Sequence, residues 1–325
     1  MPLFPLNDER KAVLAAGITV FFWASAFVSI RSAGRHYEAG ALALGRIAVA
    51  AALLLAIWAI RREGLPPREA WPRIALGGLL WFSCYMVALN QGERHVDAGT
   101  AAMLVNVGPA LTVLLAGWLL KEGFTRNVLL GLGISFLGAV LVGVATGGTD
   151  GSASWSGVAL CLVAALCYAL GMVVQKPALR QASALQVTAF SCLVGALACA
   201  PFAGQLWDQA RQAPLSATAN LVYLGVFPTA LGFMTWSYAL SRTEAAKLGV
   251  TTYIVPLIVI LLSWALLGET PGFLAVLGGA LCLVGVAYSR SRRFAPTAGK
   301  SPSPAPSPTE PACSDSTRCT SSPAD

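Results

Sequence analysis

Runs of roughly twenty apolar residues recur from Lys11 to Ser289, and nothing else in the chain limits its fold so tightly. Each run is long enough, at about 1.5 Å per helical residue, to cross a hydrocarbon core of about 30 Å. Inside lipid every backbone amide must find a partner, which leaves helices and closed barrels. A barrel requires alternating polar and apolar residues, and the runs do not alternate. The expected fold class is therefore an all-α membrane protein. Composition agrees: 11% of the residues are charged, against about 25% in soluble proteins.

Ten segments can be marked, at 12–30, 39–60, 71–91, 98–120, 127–146, 156–175, 186–204, 218–239, 245–267 and 272–289. Arg10 and Lys11 before an apolar run, with Ala24-Ser25-Ala26 inside it, resemble a signal peptide. The run continues to Ile30, so it is read as an uncleaved first span. The longest connection, 205–217, carries Trp207, Asp208 and Pro214 and is expected to be a surface loop.

Basic residues choose the orientation. With the N-terminus cytoplasmic, seventeen of the 22 Lys and Arg fall inside and four (Arg31, Arg35, Arg94, Arg211) outside, while Arg46 lies within a span. The bias places both termini in the cytoplasm. It also accounts for the net charge of +7 without a nucleic-acid partner. From Ala295 the chain is rich in Pro, Ser and Thr, a composition that cannot bury enough apolar surface to fold. Six cysteines lie in apolar runs, where they act as small hydrophobes. Cys313 and Cys319 lie in the tail, and no pair has metal-ligand spacing. Neither a metal nor a cofactor is expected.

A repeat then emerges. VNVGPALTVLLAGWLLKE (105–122) set against TYIVPLIVILLSWALLGE (252–269) gives six identities in eighteen, among them Pro109 with Pro256 and Glu122 with Glu269. The offset of 147 also pairs Ala98 with Ala245, Gly131 with Gly278 and Gly138 with Gly285. At an offset of 145, Trp23 pairs with Tyr168, Val28 with Val173 and Arg31 with Lys176. Segments 1–5 and 6–10 are thus two copies of one unit. Five is odd, so the second copy enters the membrane from the opposite side. The expected architecture is ten transmembrane helices in two inverted five-helix repeats. Such repeats are common in secondary transporters, because the halves can exchange conformations around a site between them. The divisions are a cytoplasmic segment 1–11, a first repeat 12–146, a connection 147–155, a second repeat 156–289, and a disordered cytoplasmic tail 290–325.

At this point the chain resembles a known family. YALSRTEAAKLGVTTYIVPLIVILLSWALLGETP (238–271) is similar to the helix 8–9 signature of EamA-type permeases in the drug/metabolite transporter superfamily. QGERHVDAGTAAMLVNVGPALTVLLAGWLLKEGF is a looser counterpart, and ALALGRIAVAAALLL (41–55) resembles the arginine-containing start of the family's second helix. The resemblance covers about residues 12–290. It implies a transporter, usually an exporter of amino acids, other metabolites or toxic compounds, with its cavity among segments 1, 3, 4, 6, 8 and 9. Gln91 departs from the family, which commonly has an aromatic residue there, as Tyr238 is in the second half.

Candidate cavity residues follow: Trp23, Ser25, Tyr85, Gln91, Asn106, Tyr168, Met172, Gln175, Trp236, Tyr238, Thr252 and Tyr253. Pro109 and Pro256 remove a helix hydrogen bond and free the carbonyls of Val105 and Thr252. They are read as paired bends with a gating role rather than packing kinks. Asn106 is either interhelical glue at a freed carbonyl or a substrate contact. Arg46, in the outer third of its span, either snorkels or pairs with a helix end, or else holds a substrate carboxylate. Glu122 and Glu269 sit at helix C-termini, where a negative charge needs a partner, and are read as structural. Glu93, Arg94, His95 and Asp97 are expected to form a solvated loop, with an outer gate or a proton relay through His95 as the alternative. With no carboxylate placed at mid-membrane, a carboxylate relay is not expected. The paired glycines of segments 5 and 10 are read as close helix packing, away from the pathway or at a homodimer seam.

The functional expectation is a secondary transporter of small organic molecules across a bacterial cytoplasmic membrane, an exporter of amino acids or related metabolites by alternating access. No ATP-binding motif is present. A multidrug exporter of the same fold is the nearest alternative. A membrane-embedded enzyme or a sensor comes from a different class. The two histidines, His36 and His95, are far apart and carry no catalytic motif.

Overall fold

In a computed structural model the chain is described over residues 8–119, 126–146, 151–242, 248 and 251–290. All regular structure there is helical: α1 Asp8–Ala33, α2 Ala39–Arg61, α3 Arg68–Gly92, α4 Ala98–Val105, α5 Gly108–Leu119, α6 Arg126–Thr146, α7 Gly151–Ala178, α8 Ala184–Ala198, α9 Ala203–Gln212, α10 Leu215–Arg242, α11 Val255–Leu267 and α12 Phe273–Arg290. Among the described residues, α1, α2, α3, α7 and α10 are long and apolar enough to cross a membrane, and the α8–α9 pair, bent by 57°, makes a sixth if taken as one span. The outer surface is apolar where a soluble protein would be polar. Phe21, Leu137, Trp264 and Leu266 are all more than half exposed, a surface suited to lipid.

Local chemistry sets the helix ends. Asp97 caps α4 by accepting from the Thr100 N–H, and Ser183 with Gln186 forms a capping box at α8. α11 stops at Gly268, whose φ of 67° suits a residue without Cβ. The stretch 205–217 contains helix rather than only a surface loop, because α9 covers Ala203–Gln212. The side chains of Gln205 and Gln209 reach the carboxylate and backbone N–H of Glu38, just ahead of α2. Trp207 is 61% exposed and stacks under Arg211, so one face of α9 is tied down and the other is amphipathic.

α6 and α12 pack most intimately of all. A Cβ on Gly138 would lie 2.5 Å from the Gly278 carbonyl oxygen, and one on Gly285 would strike the Gly131 carbonyl oxygen. Ser135 donates to the Cys282 carbonyl at 3.0 Å, and the Cys282 thiol donates to the Ser135 carbonyl at 3.1 Å. As residue numbers rise along α6 they fall along α12, so the two run antiparallel. Ser135 and Cys282 are 147 apart, so equivalent residues of the two copies meet each other. Gly131, Gly138, Gly278 and Gly285 are thus used in packing within the chain.

The copies share a device that the sequence did not announce. α3 turns π-helical over Gly78–Cys84, and α10 does so over Gly225–Leu231, again 147 apart. A Cβ on Gly78 would press on the Ser191 carbonyl and Val194, and one on Gly225 on the Arg46 carbonyl and Val49. The π stretch of each half therefore lies against the second helix of the other copy, α3 on α8 and α10 on α2.

Candidate functional site

Where the halves meet, Trp23 and Tyr168 face each other edge-on at 6.4 Å between ring centroids. They are repeat mates on α1 and α7. Trp81 and Phe233 pack around them. In front of these rings lies a cavity of about 50 Å³, bordered by Trp23, Phe27, Arg46, Tyr85, Asn106, Pro109, Tyr168, Phe233 and Thr252. This is far below the roughly 300–1,000 Å³ of open small-molecule pockets, so the space between the halves is contracted.

Six of the expected cavity residues or charge partners thus converge: Trp23, Tyr85, Asn106, Tyr168, Thr252 and Arg46. Others do not. Ser25 bonds the Tyr223 hydroxyl at 2.7 Å. Trp236 is fully buried behind Trp23 and donates its indole N–H to the Met172 sulfur. Gln175 donates to Ser237. Gln91 lies beside His95, and Tyr238 stacks under Arg242. These polar groups find partners locally, which keeps them from the cavity. The side chain of Tyr253 lies outside the described residues, as do Glu122, Ala245, Lys247 and the tail.

The prolines correct the expectation of bent but continuous helices. The fourth segment is broken at Asn106–Val107, and Pro109 is the second residue of the new helix α5. Pro256 likewise is the second residue of α11, after a 3-10 turn at Thr252–Ile254. Proline is tolerated in a first helical turn, where an N–H has no intrahelical acceptor. Across the break, the Asn106 amide donates to the Thr252 carbonyl at 3.2 Å. Pro256 has no N–H to give that carbonyl, which accepts from the Val255 N–H in the 3-10 turn as well. The interhelical contact is thus present, and Asn106 also borders the cavity. An Asn106→Ala protein is expected to lose about 0.6 kcal/mol of stability, the average for interhelical bonds in membranes, and at most about 1.7 kcal/mol. Denaturant unfolding in micelles measures this, and an unchanged midpoint would count against the role.

Arg46 neither snorkels nor meets a helix end. It is 2% exposed. Its Nε donates to the Thr229 hydroxyl at 3.1 Å, and that hydroxyl donates to the Leu224 carbonyl five residues back in the π stretch. Its Nη1 is buried without a hydrogen-bond partner among the described residues, as is the Trp23 indole nitrogen. The π stretch of α10 thus positions the guanidinium at the border of an otherwise apolar cavity. The equivalent place in the second half holds Ser191, 145 residues on, whose hydroxyl turns to the Ile74 carbonyl. The charge belongs to one half only.

A second space, of about 250 Å³, opens beyond the end of α1 among Ile30, Arg31, Gly34, Arg35, Asn90, Glu93, Arg94 and Glu269. Arg31 binds the Glu269 carboxylate through Nε at 3.1 Å and donates from Nη1 to the Glu93 carbonyl at 2.6 Å. Glu269 therefore finds its partner in α1 of the other half. Glu93 overturns the expectation of a solvated loop, being only 1% exposed. Burial holds its carboxyl well above the usual carboxylate range; Arg31 and Arg46 oppose the shift, while Asp97 and Glu269 reinforce it. Sequence reasoning missed this because Glu93 stands beside the charged Arg94 and His95, which suggested water.

Known proteins share this layout. The model of the EamA-like transporter family matches residues 10–144 and again 155–290. A "Probable terminal-alkyne amino-acid exporter" of Streptantibioticus cattleyicolor is 37% identical over 85% of this chain and 92% of its own. The transporter YdfC of Bacillus subtilis is 31% identical over 86% of this chain and 90% of its own. One solved protein structure aligns with a TM-score of 0.59 at 21% identity, over 86% of this chain and 96% of that one, and so shares the fold. With a small cavity between two copies of one helical unit, and the family model matching each copy, the chain belongs to the EamA-like transporter family.

Proposed function

We propose that this transporter exports amino acids or closely related small metabolites by alternating access. Arg46 carries the reading. A buried guanidinium with an unpartnered N–H is a receptor for a carboxylate, since charge-assisted hydrogen bonds are the strong ones. Trp23, Phe27, Tyr85 and Tyr168 would surround the rest of a small, partly apolar solute. The name of the Streptantibioticus cattleyicolor relative, a "Probable terminal-alkyne amino-acid exporter", supports the same class of cargo. The positive-inside bias supports a cytoplasmic-membrane location with both termini inside, which makes the Arg31 end the outer one. On that orientation the Arg31–Glu269 pair closes the outer side.

Purified protein in vesicles should release preloaded labelled amino acids, with a terminal-alkyne amino acid in the panel. Decarboxylated amines of matching side chain should stay behind. Lipophilic cations, the cargo of a multidrug exporter, are disfavoured by Arg46. Their release in place of amino acids would replace this reading with the multidrug one.

A further inference from the structure

Glu93 has no role in the scheme so far, yet its placement is unusual. Its carboxylate is almost wholly buried, and neither oxygen has a hydrogen-bond partner among the described residues. Arg31 touches only its backbone carbonyl and spends Nε on Glu269. The repeat sharpens the contrast. The equivalent residue 147 positions on is Leu240, buried to 2%, so this place in the fold accepts an apolar side chain. A carboxylate set there and left unpaired is stable only in its neutral form.

The surrounding groups come from every neighbouring element. Arg31 and Arg35 approach from α1 and the turn after it, Arg46 from α2, and Tyr85 from its own helix. Arg94 and Asp97 follow in the chain, Cys161 lies on α7, and Glu269 follows α11. His95 sits over Gln91 instead. Glu93 borders the charged vestibule, and Leu89, one turn earlier on α3, borders the central cavity.

We propose that Glu93 is a proton-binding site, occupied while the Arg31–Glu269 pair is closed and emptied when that end opens, so that the transport cycle carries a proton. This rests on the alternating-access reading above. On opening, the O–H bond breaks heterolytically. The electron pair stays on the carboxylate, and the proton passes to water entering the vestibule. Arg31, released from Glu269, then faces the new anion. Protonation favours the closed conformation. That contribution is complete below the carboxyl's value in the open, hydrated state, and it is lost as pH rises through its higher value in the closed state.

Infrared spectra of the purified protein in lipid vesicles test this without any solute, so the result is independent of whether the amino-acid panel moves. The wild type should show the C=O band of a protonated carboxyl that persists well above about 4.3, the value of a free glutamic acid. The band should vanish in Glu93→Gln, whose neutral amide preserves the shape, and should remain but shift in Glu93→Asp. A band that survives in Glu93→Gln, or that titrates near the ordinary value, overturns the site. Arg31→Gln tests the link to opening by sign. Removing a cation alone raises the midpoint, whereas opening and hydration lower it. The expected result is a fall in the midpoint, and a rise overturns the link.

Discussion

An Arg46→Gln protein is expected to fold, reach the membrane and fail to export amino acids. The glutamine keeps a donor for Thr229 but removes the charge that a solute carboxylate would meet. Losing one member of a buried, hydrogen-bonded charge pair costs about 2–5 kcal/mol, or roughly 30-fold to several thousand-fold in apparent affinity. Arg46→Lys should recover part of the loss. It restores the charge without the planar fork that holds Thr229 and the solute together. Thr229→Val separates positioning from binding, since it leaves the guanidinium but unties Nε, which now bonds the hydroxyl at 3.1 Å. Solute efflux from vesicles reads all three. If Arg46→Gln exports at the wild-type rate, the carboxylate-receptor role is wrong.

The second large effect falls on folding. Gly138→Leu should yield little or no properly folded protein. Its first side-chain atom would lie 2.5 Å from the Gly278 carbonyl and 2.7 Å from the Cys282 amide nitrogen. Those are backbone atoms of a packed helix, so α6 and α12 must separate. Overpacking costs about 1–3 kcal/mol where side chains can yield, and the cost rises where backbone must move. Gly133→Leu, on the same helix, is the control, because nothing lies within 4 Å of a Cβ there. Size-exclusion profiles of the two proteins should differ sharply. Similar profiles would mean that the α6–α12 contact is not what holds this side of the bundle.

Much of this was legible in the sequence, for identifiable reasons. Apolar run length reports the membrane directly, because the medium imposes one periodicity-free rule on every segment. The repeat was visible because proline, glycine and a terminal glutamate are positions that leucine-rich composition cannot mimic. Trp23 and Tyr168 could be placed in the cavity because the family resemblance puts it among segments 1, 3, 4, 6, 8 and 9, which carry them. The break before Pro109 was not legible, since a proline inside an apolar run fits a bent helix as well as a new one. Which acceptor Asn106 finds depends on the Thr252 carbonyl, 146 residues away. Glu93 was misplaced because neighbours in sequence, Arg94 and His95, stood in for neighbours in space. The π-helical stretches leave almost no sequence trace beyond Gly78 and Gly225, which permit close approach but do not require a wider turn.

Those stretches carry a historical consequence. π-helical turns are rare, and here two of seven residues each occupy matching positions in the two halves. A feature held in the same register by both copies is most simply inherited from the single unit that was duplicated. Arg46 opposite Ser191 and Glu93 opposite Leu240 are not shared, so each charge was gained in one copy or lost from the other after the duplication. The ancestral unit would then have possessed the wide turn and the close seat for a neighbouring helix. An ancestor of that kind, pairing with an inverted second copy of itself, would have been a symmetric dimer whose two faces were chemically alike.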